Sequence, residues 1–391
     1  MGRNPCHFFI SGEEKEIFPG SRLWDLPLSG ISAGKGENSR PEAANQDNKI
    51  TVGEYLSASC RVLSQKDFSM LQKGLGAAFS RPVPKDDIVG VSIFLEKHGA
   101  FYHPLKIRVN LKTSQTCFFV LNGAVSGPGL SLIGTEYSLI SRLNTNFSKS
   151  YLPCVFGLDI LETQKGRIGF FLGEWFQDYK EFHVTGGSGQ RQIVIWESDG
   201  SCRYLPEKSM LPVYREAARI LTFYYNIETF EQIHPWHHAA GDFIVREADG
   251  RFQVRLITVR GYSPLTEFGS DEADQKNHVL PSLLVFFFTL SLKIRLDRLD
   301  GTGKAVMLGD EVIKATADGF LDALEEKSKA YDYGDLKQIF TAFFNGFSLD
   351  QIMNTVAAIK ESCDWNPAED LLIKENLESH CRILQSVFKT L

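Results

Sequence analysis

Val52, Tyr55, Leu56, Val62 and Leu63 fall on one helical face behind Thr51 and Glu54, the pair that a capping box needs. Ser64 with Asp67 repeats that signature ahead of Phe68, Leu71 and Leu75 and predicts a second helix. From Ile88 the period becomes two. Segments 89–96 and 101–112 flank a Lys-His-Gly turn, and Leu105, Ile107, Val109 and Leu111 alternate with Lys106, Arg108, Asn110 and Lys112. That is a strand with one wet face. Segment 117–122 reads as a third strand, followed by a loop at 126–129. A helix marked by Ile133, Tyr137, Ile140 and Leu143 carries Glu136 near its start, and strands follow at 155–161 and 168–176. The sum is about five strands around one helix.

Beyond 176 the pattern turns helical. A glycine-rich loop is expected at 184–190, then a hairpin of 192–196 with 202–205. Val213, Ala217, Ile220, Leu221 and Tyr224 mark a helix, 279–296 a buried one, and 308–328, 334–345, 348–360 and 367–390 four more. Between the first two of these lies a hairpin turning at Ala248-Asp249-Gly250-Arg251, whose return strand is expected to run over 254–262. Residues 29–49 are rich in Gly, Asn, Glu and Ser, which predicts a flexible surface segment.

Composition narrows the class. With 391 residues the chain can build two units with separate cores. Its 43% hydrophobic, 12% aromatic and 23% charged residues are those of a soluble globular protein. A net charge of −6 gives no basic footprint for nucleic acid. Seven cysteines without a CxxC pair favour a reducing compartment over a disulfide framework or a zinc site. The apolar run 279–292 is broken by Pro281, Ser282, Thr289 and Ser291 and is shorter than the roughly 20 residues that span a bilayer. No membrane association is expected, and the expected location is the cytoplasm.

The chemistry concentrates between Ile233 and Tyr262. The segment Ile-His-Pro-Trp-His-His-Ala-Ala-Gly-Asp-Phe-Ile-Val leads into the hairpin, and Leu256-Ile-Thr-Val-Arg260 lies on its return. Phosphotransferases place a base and a metal ligand five residues apart before such a hairpin, and a second metal ligand on the return strand. The order of elements over residues 88–345 resembles the protein-kinase-like superfamily, most closely the branch of aminoglycoside phosphotransferases and choline kinases. The resemblance implies a two-lobed α+β fold, with a five-stranded antiparallel N-lobe (88–176) and a helical C-lobe opening on a linker hairpin (177–391). A flexible segment (1–50) and a helical pair (51–87) precede them. It also implies a cleft between the lobes that takes ATP and Mg2+.

The same resemblance assigns roles. Gly241-Asp242-Phe-Ile-Val245 matches the family's Gly-Asn-Val-Leu-Val, so Asp242 stands where a metal-binding asparagine sits and can ligate magnesium. His237 occupies the place of the base aspartate; it either accepts a proton or hydrogen-bonds the loop into shape. Asn122 replaces the lysine that holds nucleotide phosphates, with Lys106 and Lys112 on the preceding strand. Glu136 is the helix glutamate, and Glu174 falls at the end of the last strand among the nucleotide-site positions. Thr258 replaces the second metal aspartate, and Arg260 is expected to pair with Asp242 or Glu136 in place of the missing ion.

Three functions follow: a pseudokinase binding a nucleotide, metabolite or protein partner; an active divergent small-molecule phosphotransferase; or a regulatory module acting through its ends. Weaker signals are Gly186-Gly-Ser-Gly189, read as a turn, and the unspecific histidine set His234, His237 and His238. Arg295, Asp297, Arg298 and Asp300 are expected to form a surface ion-pair network. Trp175, Phe176 and Tyr179 either line an aromatic pocket or pack in a core.

Overall fold

The computed structural model describes residues 6–11, 15–28, 50–96, 101–187, 190–197, 200–265 and 272–390, and the chain divides into two compact units, Met1–Gln177 and Asp178–Leu391. The expected flexible segment 29–49 and the Lys-His-Gly turn at 97–99 lie outside the described residues.

The first unit comprises β1 (Cys6–Ile10), β2 (Glu16–Ile17), α1 (Val52–Phe79), β3 (Ile88–Leu95), β4 (Leu105–Leu111), β5 (Thr116–Ala124), α2 (Gly127–Asn146), β6 (Val155–Thr163) and β7 (Gly166–Glu174). They form one seven-stranded sheet in the order β2-β1-β3-β4-β5-β7-β6. A five-stranded antiparallel sheet was expected; the sheet found has seven strands. The strands of 88–174 do pair antiparallel, but β1 joins β3 in parallel and β2 extends the edge, so the sheet is mixed. Two strands of five and two residues carry too little periodicity to stand out in the sequence. Their apolar residues Phe8 and Ile17 are nonetheless buried in the common core.

The alternation along β4 decides which face packs. Leu105, Ile107, Val109 and Leu111 are 0–4% exposed, whereas Lys106, Arg108 and Asn110 stay half-buried. Against the apolar face lie Tyr55, Leu56, Val62, Leu63, Leu71 and Leu75 of α1. Its capping box forms as the sequence suggests, with Thr51 N donating to Glu54 Oε2 at 2.9 Å and Glu54 N to Thr51 Oγ1 at 3.3 Å. The second box does not form: Ser64 Oγ donates back to the Cys60 carbonyl at 2.8 Å. The chain leaves the helix there through Lys66, Asp67 and Phe68 at φ 46°, 59° and 63°. Left-handed backbone costs such residues roughly 1–2 kcal/mol each. The burial of Leu71 and Leu75 beyond the break offsets it.

Two further readings change. Segment 126–129 is no loop: Ser126 Oγ accepts from Gly129 N at 3.2 Å and caps α2, with Pro128 in the first turn, where its missing N–H costs nothing. Cys6 and Cys60 form a disulfide with Cα atoms 6.1 Å apart, tying β1 to α1 across 54 residues. This overturns the expectation, drawn from the scattered spacing of the cysteines, that they would form no disulfide.

The second unit begins with β8 (Phe182–Gly187), β9 (Gln190–Trp196) and β10 (Cys202–Pro206), an antiparallel three-stranded sheet. The expected loop at 184–190 is therefore strand up to Gly187: Val184 is fully buried and Gly186 pairs with Arg191. Ser188 and Gly189, part of the glycine-rich turn reading, lie outside the described residues. There follow α3 (Leu211–Tyr224), β11 (Glu231–Ile233), α4 (Ala239–Asp242), β12 (Phe243–Ala248), β13 (Arg251–Leu256), β14 (Tyr262–Pro264) and α5 (Glu272–Ile294). The chain closes with β15 (Leu296–Arg298), β16 (Ala305–Met307), α6 (Glu311–Ser328), α7 (Leu336–Asn345), α8 (Leu349–Ser362) and α9 (Pro367–Lys389).

The longest apolar helix is the centre of this unit. Residues Lys276–Ile294 of α5 are long and apolar enough to cross a bilayer, against the shorter span expected, but 67% of that stretch is buried inside the protein. Phe287 lies 4.7 Å from Phe320 and 5.4 Å from Phe388, and Phe320 lies 4.8 Å from Phe340. These rings lock α5, α6, α7 and α9 around one aromatic core.

Candidate functional site

The site is built by a hairpin and a crossover in the second unit. Strands β12 and β13 pair from Phe243↔Leu256 to Ala248↔Arg251. The turn is Asp249-Gly250 at φ 54° and 69°, the left-handed pair that a two-residue hairpin needs. The return strand was expected to reach 262, but it ends at Leu256. Tyr262–Pro264 pairs instead with Glu231–Ile233, through Ile233↔Tyr262. His234 N donates to Gly261 O at 3.1 Å. A Cβ on Gly261 would sit 2.3 Å from the His234 carbonyl oxygen, so this approach needs glycine. The crossover brings 257–261 beside the loop 234–242.

Asp242 is the electrostatic centre, and its carboxylate is fully buried. Oδ2 accepts the His237 backbone N–H at 2.6 Å, and Oδ1 lies 2.8 Å from Arg260 Nη2. Its backbone oxygen accepts Ile257 N at 3.0 Å. The Arg260 contact acts by charge more than by direction, since Oδ1 receives no well-aligned N–H despite the short distance. The pairing with Asp242 anticipated for Arg260 is therefore formed.

The three histidines do not share one set of partners. The residue His237 is exposed overall, but its ring is partly desolvated, and that desolvation together with the Arg260 charge lowers its pKa and favours the neutral form. His234 is lowered to about 4 by burial and by Lys293. His238 Nε2 meets Glu369 Oε1, in the first turn of α9, at 3.1 Å. Burial raises the Glu369 carboxyl, but the His238 hydrogen bond and charge, with Arg298 and a backbone N–H at Asn366, together hold it below its usual range. Among the described residues no three His, Cys, Asp or Glu side chains are placed to hold a metal ion.

Lys293, at the end of α5, lies between two indoles. Its Nζ is 5.7 Å from the Trp236 ring and 5.5 Å from the Trp365 ring, and it donates to Trp236 O at 3.4 Å. Burial lowers its pKa. Neither Lys293 nor Glu369 stood out in the sequence. The only trace of Glu369 was its place three residues after Asn366, the cap of α9.

Magnesium does not fit this arrangement. Its best carboxylate, Asp242, has one oxygen on a backbone N–H and the other against a guanidinium. Thr258, expected in place of a second metal aspartate, is half-buried and without charge.

The remaining predicted residues belong to the first unit. Asn122 is half-buried on β5 opposite Phe171. Glu136 is 1% exposed within α2. Glu174 ends β7, and its Oε2 accepts Cys154 N at 3.2 Å, which ties it to the neighbouring strand. Trp175 lies in this unit, with its ring 4.8 Å from Lys106 Nζ. Tyr179 belongs to the second unit, where Arg246 lies 5.0 Å over its ring.

Of the surface network expected at Arg295, Asp297, Arg298 and Asp300, Arg295 and Asp297 are 3% exposed and clamp the core, whereas Arg298 is half-buried and Asp300 exposed. Arg295 donates to Leu308 O at 2.9 Å and to Asp310 Oδ1 at 2.8 Å, and its Nη1 lies 3.1 Å from His380 Nδ1. Because arginine only donates, His380 carries its proton on Nε2, 3.0 Å from Ser291 Oγ. Asp297 accepts Val184 N at 3.1 Å and Arg298 N at 2.7 Å, and burial raises its carboxyl to about 6. No family model matches the sequence, and no curated protein is similar to it.

Proposed function

We propose that this chain is a kinase-like protein of the pseudokinase kind, which binds a nucleotide or another anionic small molecule without a firmly held magnesium ion. The observation that carries the reading is the Arg260–Asp242 pair at 2.8 Å, buried beside the His237 N–H. Phosphoryl transfer works by positioning and charge neutralisation. Here a fixed guanidinium stands at the carboxylate that would anchor the metal. The order of elements adds support: five strands over 88–174 with α2 between the third and fourth, then a helix, a loop and a hairpin.

One observation favours the runner-up, an active phosphotransferase: His237 is exposed and neutral, and so able to accept a proton. Two measurements separate them. Thermal melting with millimolar ATP in EDTA, compared with ATP and Mg2+ or Mn2+, reports binding by mass action. A shift of equal size in both conditions supports the pseudokinase. Single-turnover assays with labelled ATP over hydroxyl and amine acceptors test the enzyme. Turnover that requires Mg2+ and disappears in Asp242→Ala overturns our reading.

A further inference from the structure

One face of the first unit's sheet carries two cations, Lys106 and Arg108, that no ion pair among the described residues balances. The alternation along β4 puts Lys106 and Arg108 on the half-buried face, opposite the packed row of Leu105, Ile107 and Val109. Lys106 Nζ lies 4.9 Å from the Phe118 ring and 4.8 Å from the Trp175 ring. Arg108 stacks 5.1 Å over Phe94 and donates through Nη2 to Ser92 Oγ at 3.2 Å. Neither cation forms an ion pair among the described residues, and the buried Nε of Arg108 has no acceptor there. Lys165 of the same unit, by contrast, pairs with Glu54 at 2.9 Å.

The register adds a donor. Lys106 stands opposite Val120, so Asn122, two residues along β5, faces the same side. Two cations held by aromatic rings are positioned at little conformational cost, because rings attract cations without neutralising them. Half-burial in a less polar setting strengthens any anion contact they make.

We propose that this face binds the phosphate groups of a polyphosphate-bearing small molecule directly, with Lys106 and Arg108 as the charge-bearing contacts and Asn122 as a neutral donor. It rests on the proposed nucleotide-binding reading and supplies the charge that magnesium does not. A nucleoside triphosphate and a free polyphosphate share this chemistry, and the test tells them apart.

The full-length protein is titrated calorimetrically in EDTA with ATP and, separately, with inorganic tripolyphosphate. The variants are Lys106→Met, Arg108→Met, Lys106→Arg and a control, Lys112→Met, at an exposed position just past the strand. Losing a charged hydrogen bond weakens binding by about tenfold or more. The expected result is that loss in both methionine variants, with Lys106→Arg and Lys112→Met close to wild type. If Lys106→Met fails to fold, Lys106→Gln takes its place. ATP binding unchanged in both methionine variants overturns this inference and leaves the functional reading standing. Tripolyphosphate binding that the two variants weaken, with no binding of ATP, overturns the nucleotide reading and keeps the anion site. No binding of either probe at millimolar concentration overturns both.

Discussion

Replacing Arg260 with methionine leaves the Asp242 carboxylate, which is fully buried, without its counter-charge. At 2.8 Å the pair attracts by about 6 kcal/mol at an effective dielectric of about 20, before desolvation is counted. Removing one partner of a buried pair costs about 3–5 kcal/mol, because the other charge stays buried alone. For a unit of this size that lowers its melting temperature by on the order of 10 °C. The double variant Asp242→Asn/Arg260→Met removes both charges and should recover much of the loss, so that the two single effects fail to add by at least about 1 kcal/mol. Calorimetric melting of the four proteins at one pH gives all the terms. A loss below about 1 kcal/mol in Arg260→Met, or simple additivity in the cycle, refutes the view that the guanidinium stands in for a metal.

Three other outcomes are expected. Lys327 Nζ donates to Phe223 O at 2.9 Å and Tyr225 O at 2.6 Å, closing the end of α3, and burial lowers its pKa to about 7. The unfolded chain then binds more protons between about pH 7 and 10.5, so wild-type stability should rise with pH across that window; Lys327→Met should abolish the rise in urea titrations at pH 7 and 9.5. His380 is buried with a pKa lowered to about 3 by burial and by Arg295, so stability should fall as pH drops from 6.5 towards 3, and His380→Gln should be less stable at pH 7 but flatter in that range, read by melting against pH. Gly261→Ala forces a Cβ to within 2.3 Å of the His234 carbonyl and should open the crossover; faster amide exchange at 257–261 would be the sign, and unchanged exchange would contradict it.

Much of the local structure was legible. The capping box of α1, the alternation of β4, the Asp-Gly hairpin and the C-terminal helices all depend on neighbours within a few residues. The contiguous motif Gly241–Val245 likewise directed attention to Asp242. What escaped was non-local or strained. The left-handed run at 66–68 uses no glycine and so leaves no compositional mark. The surface network read at 295–300 looked solvated because its partner His380 lies 85 residues from Arg295.

By itself the sequence determined which residues alternate and where helices start, and it singled out Asp242, Thr258 and Arg260 as candidate site residues. Only the tertiary structure decided that Arg260 takes Asp242 as partner, that Glu369 reaches His238 from 131 residues away, and that Cys6 meets Cys60. The reason is one of range. Side-chain period and turn chemistry act over a few ångströms of chain, whereas burying a charge selects its partner from whatever the packed fold brings near.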